Sequence, residues 1–283
     1  MKDSGNEKLS RMPTLFPSVL KARNYFNIVV RRAAHYGCAL WQTSHQTTDS
    51  ESWLIKPTLG HMEASEHASA DLVIEKQKYL DELANWYRAF RPLFDRAQPG
   101  TDDYLPTRHL QMHYLPVYLT IIMYPATSEM AYDEYLLIFK EVIEMGKIQL
   151  AGATHNPMFS FDMQNVWPLF VVAKKCRDPV VRRDAIRLLM EFPRREGIWD
   201  SSVVAAISSW IVNIEEEGMV GGYVEERKRV KSMGVRLDSE KGRADVWCSV
   251  TNDYGETIRK KTTVQWDITK RHRARDTRVV TTF

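Results

Sequence analysis

The sequence contains little cysteine: its three residues of this type are Cys38, Cys176 and Cys248. They lie far apart, whereas small secreted domains that depend on disulfides carry many closely spaced cysteines. A disulfide framework is therefore excluded, and so is a zinc module built from clustered cysteines. Three scattered thiols are typical of a protein that works in a reducing compartment.

Long apolar runs are also lacking. The longest extends from Leu115 to Tyr124 and is interrupted by Pro116, whereas a membrane-spanning helix needs about 20 apolar residues. The N-terminal segment MKDSGNEKLSRMP is polar and carries acidic residues, so it does not have the pattern of a signal sequence. We therefore expect a soluble intracellular protein that does not bind membranes.

Neither sign of charge is in large excess. The net charge is +3, so the overall charge does not argue for binding to nucleic acid. The proportions of hydrophobic residues (44%) and charged residues (27%) are ordinary for a globular protein. A chain of 283 residues is long enough for one large helical domain or two modest ones with a substantial core.

Motifs that carry chemistry are scarce. Gly221-Gly222 lacks the strand, lysine and helix of a phosphate-binding loop, and no nucleophile elbow occurs. His109 and His113 are four residues apart on a predicted helix, but the glutamate of a zincin motif and further ligands are missing. Cys176 has basic neighbours that would lower the pKa of an accessible thiol. These residues support an enzyme only as an alternative hypothesis, and we expect no cofactor.

The most strongly patterned region extends from Phe159 to Gly218. Asp178 followed by Pro179 predicts a helix start, because an aspartate caps backbone N–H groups and proline is tolerated at the first helical position. Asp200 predicts a second helix start. Trp210 shares a face of that second helix with isoleucines three or four residues away, so we expect it to be buried.

Three acidic residues, Glu215 to Glu217, end this second helix. The helix dipole disfavours a carboxylate at that end by ~0.3–1 kcal/mol. We interpret the three residues as a solvated helix end. The alternative is that cations from a neighbouring element offset their charge.

A set of short motifs occurs in the same region. KCRDP at 175–179 precedes RRDA at 182–185, and PRREGIWDS at 193–201 leads into the helix that ends with the acidic residues 215–217. This combination resembles the C-terminal part of the fungal-specific transcription factors of the binuclear zinc-cluster type, which include regulators of secondary-metabolite gene clusters. ARNYF at 22–26 fits the same family more weakly. The family's DNA-binding module needs a six-cysteine cluster near the N-terminus, which the three cysteines of this chain cannot form.

The resemblance implies a regulatory domain that controls transcription and performs no chemistry. The motif residues are then expected to be structural: Cys176, Arg177, Asp178, Pro179, Arg182, Arg194, Arg195, Glu196, Gly197, Trp199 and Asp200. The expected partners are proteins of the transcription machinery, a DNA-binding partner, or a second copy of the chain in a homodimer. The alternatives are a helical enzyme that uses His109 and His113 or Cys176, and a helical scaffold with no role in transcription.

The helical patterning predicts an all-α fold, either a multi-helix bundle or a solenoid-like regulatory domain. We expect a disordered lead at 1–13, the helical domain at 14–235, and a basic tail at 236–283 that is extended or forms a β-hairpin. Alternating residues on both sides of a turn at Asp253-Tyr254-Gly255 favour the hairpin, and we expect any strand to be confined to the tail.

The tail contains a basic run that includes Lys270, Arg271, Arg273 and Arg275. Runs of this kind serve as nuclear localisation signals or as phosphate contacts. Together with the family resemblance, this run leads us to expect nuclear residence. Because specific readout needs side chains delivered to base edges by a positioned element, we expect the chain alone to contact DNA only weakly and without sequence preference.

Overall fold

The computed structural model describes residues 3–44, 70–123, 128–152, 158–219, 221–238, 240–266 and 277–280. The chain divides into two compact units. The first unit contains the described residues up to Met123, and the second contains those from Ser128 onward. The expected layout of one helical domain with a tail did not include this division.

The first unit is helical. Its helices are α1 (Asp3–Ser10), α2 (Val19–Ser44), α3 (Ala70–Arg96) and α4 (Tyr104–Ile122). Helix α1 lies in the lead that we expected to be disordered. Glu7 of α1 forms an ion pair with Arg11, four residues further along, at 2.8 Å. The Tyr25 hydroxyl donates to the Arg11 carbonyl at 3.2 Å and so joins the lead to α2.

Aromatic residues fill the core of the first unit. Trp86 on α3 is fully buried, and its ring centroid lies 4.6 Å from that of Phe26, 4.7 Å from that of Phe90 and 5.7 Å from that of Tyr114. The indole N–H donates to the Ala22 carbonyl at 2.8 Å. Trp86 therefore joins α2, α3 and α4 through packing and one buried hydrogen bond.

The second unit begins with helices. They are a 3-10 helix (Glu129–Tyr135), α5 (Leu136–Leu150), α6 (Val166–Lys175), α7 (Pro179–Glu191), α8 (Ser201–Glu215) and a second 3-10 helix (Glu226–Lys228). The two predicted helix starts are confirmed: Asp178 accepts the N–H groups of Val180 and Val181, and Asp200 caps α8 in the same way. Trp210 is buried, as predicted.

Two sheets belong to the second unit. The first comprises β1 (Met158–Ser160), β2 (Arg194–Glu196) and β3 (Trp199–Asp200), in which β1 and β2 are parallel and β2 and β3 antiparallel. The second is an antiparallel sheet in the order β4 (Ser232–Asp238), β5 (Arg243–Thr251), β6 (Thr257–Trp266) and β7 (Thr277–Val280). Strands β5 and β6 form the predicted hairpin.

The prediction of an all-α fold is wrong. Helices dominate, but strands make up about 16% of the described structure. Strands β1 to β3 lie inside the region expected to be helical, and at two or three residues they are too short to show an alternating pattern. In the tail, alternate residues of β5 are buried, and β6 and β7 contact α8. The tail therefore adds a sheet to the core of the second unit.

Within the described ranges, no helix combines the length and apolar composition that crossing a bilayer requires.

Candidate functional site

Five charged side chains of the second unit form a buried ion cluster: Glu129, Lys175, Arg177, Arg182 and Glu215. They come from the first 3-10 helix, the end of α6, the connection between α6 and α7, α7 itself and the end of α8. Each of these side chains is at most 4% exposed. Because charged groups are rarely buried unless they are paired, the cluster is a specific construction of this fold.

Arg177 stands at the centre of the buried ion cluster, where it bridges two carboxylates. Its Nη1 donates to Glu129 Oε2 and its Nη2 to Glu215 Oε1, both at 2.7 Å. Lys175 Nζ donates to the second oxygen of Glu129, and Arg182 Nη2 to the second oxygen of Glu215, both at 2.8 Å. Four helical elements are therefore joined by one network of charge-assisted hydrogen bonds.

Glu215 occupies the helix end that the sequence marked as acidic. Burial acts to raise the pKa of its carboxyl, but the charges of Arg177 and Arg182 outweigh burial and hold that pKa below its usual value. The backbone N–H of Val230 also donates to Glu215 at 2.8 Å. The interpretation of Glu215 as solvated is wrong, and the alternative, cations from neighbouring elements, is correct. The exposed Glu217 pairs with Lys260 at 2.9 Å.

Lys174 adds a further buried cation beside the cluster and is 1% exposed. Burial lowers the pKa of its amine to about 7, and the nearby charge of Lys175 acts in the same direction. Glu129 and Glu215 oppose that decrease through their charges. The cations therefore outnumber the fully buried carboxylates in this part of the core.

The PRREGIWDS motif supplies a second capping device. The buried carboxylate of Glu196 on β2 accepts the backbone N–H groups of Gln164 at 2.7 Å and of Asn165 and Val166 at 3.0 Å. These groups open α6, and a negative charge is favourable at a helix N-terminus. Glu196 of PRREGIWDS thereby fixes the start of α6, the helix that ends with Lys175 of the KCRDP motif.

The remaining residues of this motif shape the turn between β2 and β3. Gly197 has a φ of 57°, a left-handed conformation that glycine adopts without strain. The Arg195 Nε–H donates to the Gly197 carbonyl at 3.1 Å, and Arg194 is buried. Trp199 packs against Phe170 of α6 with ring centroids 5.8 Å apart. The motif residues that we expected to be structural, which lie between 176 and 182 and between 194 and 200, therefore contact helix ends, the sheet or one another.

Cys176 is buried among these residues with 2% of its surface exposed. Burial raises the pKa of its thiol to about 11, so at neutral pH the reactive thiolate is disfavoured. The basic neighbours that suggested an activated cysteine do not overcome this effect. The alternative of a catalytic Cys176 therefore lacks the accessible, low-pKa thiol that it needs.

His109 and His113 lie together on α4, with ring centroids 4.5 Å apart, and His113 is buried. Across the parts of the chain that the structure describes, no three His, Cys, Asp or Glu side chains are grouped in a way that could hold a metal ion. Lys270, Arg271, Arg273 and Arg275, the candidate localisation signal, lie outside the described residues.

Several residues that complete the site carried no signal in the sequence. The Glu226 carboxylate accepts the Ser128 hydroxyl at 2.9 Å and the Met130 backbone N–H at 3.1 Å, and so caps the first 3-10 helix. Arg229 is buried and donates to both oxygens of Asp133 at 2.8 and 2.6 Å. These partners lie almost 100 residues apart in the chain, where local patterns give no guidance.

Comparison of the chain with protein-family models, with curated proteins and with solved structures gave no match.

Proposed function

We propose that this chain is a regulatory domain of a transcription regulator similar to the fungal zinc-cluster factors. In this proposal it acts in the nucleus through protein partners, performs no catalysis and contacts DNA only weakly or through a partner. Control of a secondary-metabolite gene cluster is the corresponding biological role.

The observation that carries this proposal is the arrangement of the motif residues. Arg177 and Arg182 belong to the buried ion cluster, Asp178 and Asp200 cap helices, and Glu196 caps a third. The short sequences on which the family resemblance rests are thus joined in one scaffold, as expected for motifs that preserve a shape.

The surface best suited to a protein partner lies at the corner between β1 and β2. Phe159 and Phe161 are 57% and 88% exposed and meet edge to face with centroids 4.9 Å apart. Met163 and Ile198 are also exposed, and the Gly197 N–H next to Ile198 donates to the carbonyl between the two phenylalanines. Exposed apolar residues that occur together mark interaction sites more often than single ones do.

A tethered reporter assay tests the proposal. The chain is fused to an unrelated DNA-binding domain, and expression from a matching reporter is measured together with the location of the fusion. We expect nuclear accumulation and a change in reporter expression of severalfold, which Phe161→Ser should reduce. Tyr254→Ser is the matched control, because Tyr254 is 89% exposed but lies on the turn between β5 and β6. A fusion that leaves reporter expression unchanged would count against this function. Equal effects of Phe161→Ser and Tyr254→Ser would count against this surface.

A second experiment tests whether the basic run directs the chain to the nucleus. Alanine at Lys270, Arg271, Arg273 and Arg275 should move the tagged chain to the cytoplasm if the basic run is the signal. A chain that is cytoplasmic before any substitution would contradict the regulator proposal. A quadruple variant that stays nuclear would contradict only the assignment of the signal.

A further inference from the structure

The sheet formed by β4 to β7 has two different faces. On β5, Ala244, Val246, Cys248 and Val250 are buried, and the residues between them are partly exposed. Because neighbouring residues of a strand point to opposite sides, the pairing register assigns the outward residues of the adjoining strands as well. We call the partly exposed side the outer sheet face.

The outer sheet face is polar and basic. By register, Ser232, Gly234, Arg236 and Asp238 lie beside Ser249, Trp247, Asp245 and Arg243, followed on β6 by Arg259, Lys261, Thr263 and Gln265. The exposed cations of this set are Arg236, Arg259 and Lys261. The chain as a whole has a net charge of only +3, so this concentration of cations is local.

The two carboxylates of the outer sheet face are already engaged. Asp245 accepts from Arg243 at 2.7 Å and from the Thr263 hydroxyl at 2.9 Å, and Asp238 accepts the Lys241 N–H at 3.0 Å. Among the described residues, no carboxylate forms an ion pair with Arg259 or Lys261. The unneutralised charge of the face is therefore positive.

Trp247 lies at the centre of this polar face, against the backbone of β4. A Cβ added to Gly234 would come within 2.3 Å of two carbon atoms of the indole, so the ring occupies the space that a side chain at position 234 would take. The Arg259 guanidinium carbon lies 5.5 Å from the ring centroid. Gly234 thus lets the indole lie against β4, and the Arg259 guanidinium lies over the ring.

We propose that the outer sheet face binds single-stranded nucleic acid without sequence preference. Bases stack on Trp247, which is partly exposed, and on the plane of the Arg259 guanidinium, and Arg259 and Lys261 contact phosphates. Aromatic platforms combined with backbone-tracking cations are the general means of holding unpaired strands, because every base has a stacking face. Duplex DNA and acidic peptides satisfy only the cations. This inference does not rest on the proposed function.

The first test measures how much the cations of the outer sheet face contribute to binding. Binding of a fluorescent dodecathymidylate to the full chain is followed by anisotropy at two salt concentrations. Arg259→Gln with Lys261→Gln should weaken binding about tenfold and reduce the logarithmic salt slope by roughly 1.4, at about 0.7 for each lost phosphate contact. The control pair, Lys78→Gln with Lys140→Gln, removes the same charge from exposed helical positions and should leave binding within twofold. Equal loss in the two pairs overturns the proposal.

The second test measures stacking. Trp247→Thr should weaken binding to the oligonucleotide about tenfold, while Trp247→Tyr, which keeps an aromatic ring, should bind nearly as the parent chain does. Polyglutamate of matched charge should compete far less well than unlabelled dodecathymidylate. Binding that is unchanged in Trp247→Thr, or equal competition by polyglutamate, identifies a general polyanion surface and overturns the proposal.

A third measurement uses the parent chain alone, so it tests the proposal even if a substituted chain does not fold. An oligonucleotide that carries 5-iododeoxyuridine is cross-linked to the parent chain by light, and the adduct is mapped by mass spectrometry. We expect the adduct on Trp247 or on its neighbours in β4 to β6. Adducts confined to other parts of the chain overturn the proposal.

Discussion

The two units of this chain join their helices by different interactions: aromatic packing in the first and buried ion pairs in the second. The first places an aromatic group at the centre, where Trp86 contacts rings from three helices and donates one hydrogen bond. The second places charges there, where Glu129 and Glu215 bind Arg177 and Arg182 out of reach of solvent. Aromatic packing is tolerant because it depends on shape and area, whereas a buried ion network depends on the presence of every partner.

The difference has a thermodynamic consequence. Transfer of a charged group from water to a protein interior costs several kcal/mol, and only well-placed partners recover that cost. A buried ion cluster therefore contributes less to net stability than its short distances suggest. We expect it instead to make the native arrangement specific, since any misplacement of α6, α7 or α8 would leave a buried charge without its partner. We expect conservative substitutions to separate the two units clearly.

The largest effect should come from Glu215→Gln, which preserves the shape of the side chain and removes its charge. Arg177 would keep Glu129, but Arg182, whose Nε and Nη1 have no hydrogen-bond partner among the described residues, would lose its closest carboxylate. Removal of one partner from a buried pair costs about 3–5 kcal/mol. Urea unfolding should show this loss, and hydrogen exchange should place it in α7 and α8.

Glu217→Gln is the matched control for that variant. Glu217 is two residues further along the chain, is 68% exposed in its side chain and pairs with Lys260 at 2.9 Å. Exposed ion pairs contribute little, so this change should cost less than about 0.5 kcal/mol. If the two variants were equally stable, the buried ion cluster would not be the element that holds the second unit together.

A smaller effect, with a pH signature, is expected at Lys174. Its amine has a pKa of about 7 in the folded chain, well below the value of about 10.4 for an exposed lysine. Between these two values the unfolded chain binds more protons than the folded one, so the contribution of Lys174 to stability rises with pH. Below the folded pKa the full penalty of burying a charged amine applies.

Lys174→Met should therefore flatten the pH profile of stability. Relative to the parent chain it should gain about 2 kcal/mol more at pH 7 than at pH 9, since each unit of pKa difference is worth about 1.4 kcal/mol. Urea unfolding at the two pH values measures the change. Lys140→Met, at an exposed position of α5, removes the same charge and should leave the profile as it is. Parallel profiles for Lys174→Met and the parent would contradict the assignment.

Trp86→Phe is the corresponding conservative change in the aromatic core. It removes the hydrogen bond to the Ala22 carbonyl and part of the ring, but phenylalanine keeps the stack with Phe26 and Phe90. We expect a loss of about 1–2 kcal/mol, from the missing buried hydrogen bond and the smaller ring. Hydrogen exchange in α2 and α3 measures it locally. A loss larger than that of Glu215→Gln would reverse the comparison between the units.

The sequence predicts those parts of this structure that depend on near neighbours. Asp178-Pro179 and Asp200 predict helix starts because a cap bonds groups only two or three residues away. The hairpin of β5 and β6 follows from long alternating runs around a turn. Each of these signals lies within one short continuous stretch of the chain, and each is confirmed.

The parts that could not be predicted depend on distant partners. Glu129 and Arg177 are 48 residues apart, and nothing near Glu129 marks it as buried. Glu215 has the local signature of a solvated helix end, and only the approach of α7 and of the loop before it changes its environment. Strands β1 to β3 exist because the chain returns to pair there, not because their residues favour strands. For the same reason, the charged centre of the second unit was not recognised from the sequence.

Apart from the exposed control at Glu217, the smallest effect should come from Glu82→Gln in the first unit, which repeats the change made at Glu215 in another environment. Arg32 donates to both oxygens of Glu82 at 3.0 and 2.8 Å, so this bidentate contact is nearly as close as those of the buried ion cluster. Its side chains are 17% and 15% exposed, however, and water still reaches both charges. The glutamine can accept one of the two hydrogen bonds, and Arg32 can be solvated, so the loss should be about 1 kcal/mol or less. Together with Glu215 and Glu217, this position gives a series in which the substitution is constant and the carboxylate becomes progressively more exposed. Urea unfolding of the three variants should rank them in the order of burial; a loss at Glu82 as large as that at Glu215 would show that hydrogen-bond geometry, and not exclusion of water, sets the energy of these pairs.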